Sequence, residues 1–269
     1  MLRWICAALV AVLGVILSPL LTIIPLPAAY FKHRSEHPGP SPSSPPKFHL
    51  SKADIEVYER DGVIVLRNVL PKNLAEKLDI AGQDLMKSKT MHCELTKFVG
   101  PPIFHGYDRY CGRAQLIHDY LRDVTYLSPF AHIAAQLLKA DGVLRNIADV
   151  FMGGGQIPKR WHMDFLAFAA FSESKAVPCE DGLIVWMPLE DSYVEKNGML
   201  YVNGSHAEFK KHFSASVAGT AGAYDLKTHS AWVSKAPKAP IIGPHLQLGD
   251  AAVFSQCTLH TTSGVHSGG

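Results

Sequence analysis

Beyond Asn146 the chain is cut into short apolar runs by turn-forming pairs, and this punctuation constrains its fold more than any other feature. Residues 161–171, 183–189, 199–202 and 251–254 are apolar or alternating. The breaks between and around them are Gly153-Gly154-Gly155, Asp181-Gly182, Asn197-Gly198, Asn203-Gly204 and Gly249-Asp250. Each run is too short for a core helix but long enough for a strand. Before Asn146 the pattern is different. Ser51 and Asp54 form a helix start, with Ile55 and Tyr58 on its apolar side. Asp61-Gly62 stops that helix, and Val63–Leu66 reads as a buried strand. Pro71 opens a helical pattern through Leu74, Leu78, Ile80, Ala81 and Leu85. Ser128-Pro129 opens another through Ile133, Ala134, Leu137 and Leu138. Helices first and many short strands afterwards predict a mainly β sandwich or barrel with a helical cover.

This body does not begin at residue 1. Trp4 to Phe31 is an uncharged run of 28 residues preceded by Arg3. Two readings stay open for residues 1–31: a single-pass anchor using the whole run, or a signal peptide cleaved near Ala28-Ala29 for entry to the secretory pathway. Residues 32–47 form a Pro/Ser-rich spacer, dense in proline from Pro38 to Pro46, that cannot pack a core. The folded domain is expected over 48–269. Residues 1–47 hold four of the 26 basic and one of the 24 acidic groups, leaving 22 basic against 23 acidic in the body. A nearly neutral body carries no electrostatic footprint for nucleic acid. The five cysteines, Cys6, Cys93, Cys111, Cys179 and Cys257, show no C-x-x-C spacing. That argues against a zinc knuckle; the four body cysteines are expected as free buried thiols, with one or two disulfides as the alternative for a lumenal domain.

The stretch richest in chemistry is Lys159-Arg160-Trp161-His162-Met163-Asp164. Residues two apart on a strand share a face, so His162 and Asp164 can converge on one ion. His260, beyond the run 251–254, offers a second imidazole. Two histidines and one carboxylate on one face of an octahedral ion leave three positions open, the arrangement of non-haem Fe(II) oxygenases. H-x-D alone is a weak motif, and a satisfied structural histidine is its ordinary alternative.

The wider context is specific. From about Phe48 the chain resembles the phytanoyl-CoA dioxygenase family of Fe(II)/2-oxoglutarate oxygenases. The resemblance rests on four blocks in order. These are Tyr58–Leu70, Trp161–Asp164, Asp181–Leu189 with Asn197–His206, and Gly249–Phe254 followed by Leu259-His260. It implies a double-stranded β-helix, a jelly roll of the cupin kind. It implies Fe(2+) held by His162, Asp164 and His260, with 2-oxoglutarate as co-substrate and Thr262 as a hydroxyl near it. It implies hydroxylation of a small organic or lipid-like substrate, because a carboxylate stands at Asp164 where related halogenases carry a small residue. His206 is expected to close a loop rather than bind metal. The segment 88–127 is the expected substrate cover.

The same family places an arginine roughly ten residues after its distal histidine, where the guanidinium forks onto the far carboxylate of 2-oxoglutarate. In this sequence, Thr261-Thr262 and Ser263–Gly269 follow His260 without Arg or Lys, short of the expected last strand. Lys159, Arg160 and Arg109 are then the candidate cations for the co-substrate. The alternative to an active dioxygenase is a silent jelly-roll binding module that retains the metal-site fold.

Overall fold

The computed structural model describes residues 47–88, 90–99, 109–141, 149–152, 161–164, 182–189, 198–217 and 240–262. The uncharged leader, nearly all of the spacer, Gly153–Gly155, Lys159, Arg160 and the segment 263–269 lie outside these residues.

Helix α1 (Lys52–Asp61) starts as its sequence requires. Ser51 accepts from the Asp54 amide and the Asp54 carboxylate accepts from the Ser51 amide, so two donors at the helix start are satisfied reciprocally. Gly62 ends the helix at φ 75°, a left-handed conformation that favours glycine. It also sits against its neighbours: a Cβ there would lie 2.2 Å from His206 Nδ1 and 2.8 Å from Thr258 Oγ1. Strand β1 (Val63–Leu66) follows immediately.

The next layer is helical. Helix α2 (Lys72–Ser88) buries Ala75, Leu78, Ala81, Leu85 and Met86, a 3.6-period stripe. Helices α3 (Met91–Val99), α4 (Asp119–Leu127) and α5 (Phe130–Leu137) complete it, with β2 (Arg109–Cys111) paired to β3 (Val150–Met152). Cys93, Cys111, Ala114 and Leu121 are buried with the α2 residues in one cluster. Part of the segment expected to be a substrate cover thus reaches the core through these four residues, while Met91 and Phe98 stay exposed. Of the two readings open for the cysteines, free thiols give way to the disulfide alternative: Cys93 and Cys111 form a disulfide between α3 and β2, and Cys257 is disulfide-bonded too. Spacing in the sequence does not reveal that α3 and β2 meet.

Two antiparallel three-stranded sheets carry the second half. The first has the order β1-β7-β4, with β4 at Leu183–Trp186 and β7 at Ala251–Ser255. The second has the order β6-β5-β8, with β5 at Met199–Val202, β6 at Ile241–Ile242 and β8 at His260–Thr262. Helix α6 (Ser205–Val217) follows β5 directly. The first sheet has apolar residues on both faces, so its strands read as unbroken apolar runs. Val63, Val65, Ile184, Trp186, Ala252 and Phe254 join a cluster with Met199 and Tyr201 of the second sheet. The alternate residues Ile64, Leu66, Leu183, Val185, Ala251 and Val253 pack with Tyr58, Ile133 and Leu137 of the helices. Period-two alternation thus assigns one face to the partner sheet and the other to the helical cover.

The turn into β7 is fixed by Asp250. Its carboxylate, almost fully buried, accepts from the Asn68 amide at 3.0 Å, the Gln247 amide at 3.0 Å and the Arg67 guanidinium at 2.7 Å. Gly249 beside it stands at φ 97°, and a Cβ there would lie 2.7 Å from the Leu70 carbonyl oxygen. This junction sets where β7, and after it β8, begins.

Candidate metal centre

β7 leaves the first sheet at Ser255 and returns as β8 in the second. The short connection is held tightly. Thr258 donates its hydroxyl to the Gly62 carbonyl at 2.7 Å. Ser205 Oγ donates to the Val202 carbonyl at 2.7 Å and accepts from the Leu259 amide at 2.9 Å. His260 therefore enters the core at the start of β8 with its backbone already committed. A two-way bridge ties it to His162: each backbone amide donates to the other's carbonyl, at 3.0 and 2.9 Å.

Three side chains converge at this bridge. His162 Nε2 lies 3.8 Å from Asp164 Oδ1, and His260 Nε2 lies 3.6 Å from Asp164 Oδ2. The two imidazole centroids are 4.3 Å apart. One donor atom from each of the three falls within 4.8 Å of the others, close enough to share one ion. His260 Nδ1 is 2.9 Å from the Thr258 carbonyl. A carbonyl only accepts, so Nδ1 carries the proton and Nε2 presents its lone pair toward Asp164. Burial disfavours the imidazolium, Asp164 opposes that and His162 adds to it; the net effect lowers the His260 pKa to about 4. The ring is thus neutral at pH 7, the form that binds a metal. The cluster is lopsided in exposure: side chains of His162 and Asp164 are 33% and 26% accessible, while His260 is 3%. One side faces solvent and the other faces the core between the sheets.

The donor set fits a divalent transition metal with open positions, and its orientation is fixed from behind by Thr258. The remaining sequence candidates fall as follows. Thr262 lies two residues along β8 from His260, on the same face and half-buried. Lys159 and Arg160 lie outside the described residues. Arg109 does not join the cluster: its guanidinium donates to the Met86 carbonyl at the end of α2. His206 is no ligand either. Its Nε2 meets the Glu59 carbonyl at 3.2 Å, and burial lowers its pKa.

Sequence reasoning passed over Tyr201. It sits opposite His260 in the β5–β8 register and is fully buried. Its ring is 5.0 Å from Phe254 and 6.3 Å from His260, and Phe254 is 4.8 Å from His260. Burial and, secondarily, the Asp164 charge hold its hydroxyl well above the ordinary phenol value. The signal was present in the block Asn197–His206, once β5 is paired with β8.

Antiparallel sheets under a helical cover carry, among the described residues, a His/Asp/His cluster at one bridge that could hold a metal ion. The chain belongs to the phytanoyl-CoA dioxygenase (PhyH) family, whose profile matches residues 58–269. Solved structures share its fold. The non-heme alpha-ketoglutarate-dependent carbocyclase SnoK from nogalamycin biosynthesis is 19% identical, with 84% of this chain and 83% of that one covered at a TM-score of 0.57. EctD from S. alaskensis, solved with 2-oxoglutarate and 5-hydroxyectoine, is 15% identical over 85% and 79%, at 0.58. The epimerase SnoN, in complex with Fe3+, alpha-ketoglutarate and nogalamycin RO, is 19% identical over 78% and 76%, at 0.52. No curated protein gives a significant match to the sequence.

Proposed function

We propose that this protein is an Fe(II)- and 2-oxoglutarate-dependent dioxygenase that hydroxylates a small organic or lipid-like substrate on a double-stranded β-helix. The observation that carries this reading is the convergence of His162, Asp164 and His260 at one strand bridge. Family membership and the iron and 2-oxoglutarate in the structures of its fold relatives support it.

His162, Asp164 and His260 would hold the iron. Bound iron with 2-oxoglutarate supplies the chemistry: oxidative decarboxylation of the 2-oxo acid coupled to removal of hydrogen from an unactivated C–H bond. The chain's own part is placement. Thr258 keeps the proton on His260 Nδ1, so Nε2 stays free to ligate. The carboxylate of Asp164 bridges the reach of both imidazoles and adds one negative charge toward the dication. Phe254 and Tyr201 close the inner side against water, which keeps the reaction away from bulk solvent. The accessible edges of His162 and Asp164 face the route a substrate would take. The nearly neutral body favours an uncharged or weakly charged substrate over a nucleic acid.

The location belongs to this proposal too. The uncharged run Trp4–Phe31 and the buried Cys93–Cys111 disulfide both support a domain held in, or exported to, an oxidising compartment by a membrane anchor or signal peptide. Among the described residues no helix is long and apolar enough to cross a membrane.

The test is turnover. Protein purified anaerobically is given Fe(II), 2-oxoglutarate and oxygen, and succinate is measured against His162→Ala. Succinate above that variant is expected. Iron binding without succinate would instead leave a silent jelly-roll binding module.

A further inference from the structure

Helix α3 carries its apolar side outward. Met91, Leu95 and Phe98 are 78%, 38% and 55% exposed. Spaced four and three apart, they share one face of the helix, and Cys93 lies on the opposite one. A helix free to rotate would turn such a stripe into the core. This one is pinned the other way round. Cys93 is bonded to Cys111, His92 Nε2 donates to the Gly112 carbonyl at 2.8 Å, and the Gly112 amide donates to Thr96 Oγ1 at 3.1 Å. The polar His92 and Thr96 are thus spent on the inner side, and the apolar residues are left outside. Single exposed hydrophobes are ordinary, but a stripe held outward by a disulfide and two hydrogen bonds marks a docking surface.

Two features of the chain identify what covers it. The first is charge. Residues 87–99 hold Lys87, Lys89 and Lys97 against the single acid Glu94, in a body whose charges nearly cancel. Protein interfaces are depleted of lysine. An apolar stripe edged by lysines is instead the pattern of a helix lying in a bilayer surface, where the ammonium groups reach the headgroup phosphates and the stripe enters the acyl boundary. The second is reach. Residues 32–47 join the uncharged run Trp4–Phe31 to the domain, and a proline-rich stretch of that length can span roughly 50 Å at about 3.1 Å per residue. A body over 48–269 is roughly 40 Å across, so an anchor in the bilayer lets any face of it touch the membrane. The tether brings the lipid surface within reach, and the stripe decides which face meets it.

Resting on the anchor reading of Trp4–Phe31 and not on the oxygenase reading, we propose that α3 seats the domain on a lipid surface. Met91, Leu95 and Phe98 enter the boundary between headgroups and acyl chains, and the flanking lysines pair with headgroup phosphates. The Cys93–Cys111 bond keeps this face turned outward.

Photocrosslinking tests this on the full chain with its leader, reconstituted in vesicles of phosphatidylcholine and phosphatidylserine in equal parts. Benzoylphenylalanine replaces Phe98 in one preparation and Lys139, an exposed residue just beyond α5, in another. Irradiation is expected to give about tenfold more lipid adduct at position 98 than at position 139. Adding Met91→Glu and Leu95→Glu to the first preparation should bring its adduct down to the level at position 139, with the melting temperature unchanged. Equal adduct at the two positions overturns the proposal, as does an adduct at position 98 that the glutamates leave unchanged. So does an adduct to a second copy of the chain in place of lipid. A lower melting temperature for the glutamate variant also overturns it, because the stripe would then be packed within the domain. A chain that stays on the vesicles yet gives no lipid adduct at position 98 overturns docking alone and leaves the anchor standing. Release of the chain by alkaline carbonate removes the anchor, and the proposal falls with it.

Discussion

Replacing Asp250 by alanine removes a carboxylate that three donors share at the entrance to β7. Two of these are the backbone amides of Asn68 and Gln247, both within 3.0 Å, and the third is the Arg67 guanidinium at 2.7 Å. The Arg67 side chain is more than half exposed and can return to water, so its loss costs little. The amides are held in turns. Asn68 has a left-handed backbone at φ 51°, and Gln247 opens the turn closed by the Asp250 amide on the Gln247 carbonyl. Asn68 and Gln247 are exposed residues and their bonds to Asp250 are only partly buried, so each lost bond costs about 0.5–1.5 kcal/mol and the two predict a loss of about 1–3 kcal/mol on Asp250→Ala. Asp250→Asn keeps one acceptor and should lose about half as much.

Acid provides an independent check. Burial opposes the charge on Asp250, but the Gln247 and Asn68 amides and Arg67 outweigh it and leave its pKa lowered. A depressed folded value gives stability that is complete above the unfolded pKa of about 3.9 and is lost as pH falls through the folded value. Urea unfolding at pH 7 and at steps below pH 4 should therefore show the gap between wild type and Asp250→Asn narrowing with acid. A cost below about 1 kcal/mol for the alanine variant at pH 7 would refute this reasoning, as would a gap to asparagine that survives acid unchanged.

Gly62→Ala combines a left-handed backbone with a clash against His206 and Thr258, and should cost about 2 kcal/mol or more; thermal melting reads it directly. Removing the Cys93–Cys111 disulfide, which spans 18 residues, with a Cys93→Ala/Cys111→Ala double variant should lower stability by about 3 kcal/mol, measured by urea unfolding against wild type without reductant. Ser51→Ala breaks the capping box and should cost about 1 kcal/mol without changing metal affinity. Asp164→Ala leaves two imidazoles without their carboxylate and should weaken Mn(II) binding by at least tenfold in a calorimetric titration.

Local features were the most legible in the sequence. Ser51 with Asp54 marked the first helix, the stripe through Leu74–Leu85 marked α2, and the apolar runs at 183–189, 199–202 and 251–254 fell on β4, β5 and β7. Strand β4 is shorter than its run because the chain passes from Trp186 to Met187-Pro188, and proline cannot donate to a ladder. Metal-ligand spacing and block order singled out His162, Asp164 and His260, and the fold brings them together. What escaped the sequence depends on pairing between distant segments. The Cys93–Cys111 bond needs α3 beside β2. The placement of Tyr201 needs the β5–β8 register, because alone it reads as one more aromatic in a strand. The region 88–127 was opaque because its described helices, α3 and α4, run only nine residues each, too short for their period to stand out in the sequence.

The account rests on one ion at His162, Asp164 and His260 that leaves room for a 2-oxo acid. Anaerobic Fe(II) titration followed by 2-oxoglutarate, monitored by visible absorption, addresses that claim directly. The account predicts one iron per chain and a charge-transfer band that appears only when the 2-oxo acid chelates it, with neither seen in His260→Ala. Iron bound equally well by His260→Ala, or a wild-type iron site that gives no band with 2-oxoglutarate, would contradict it.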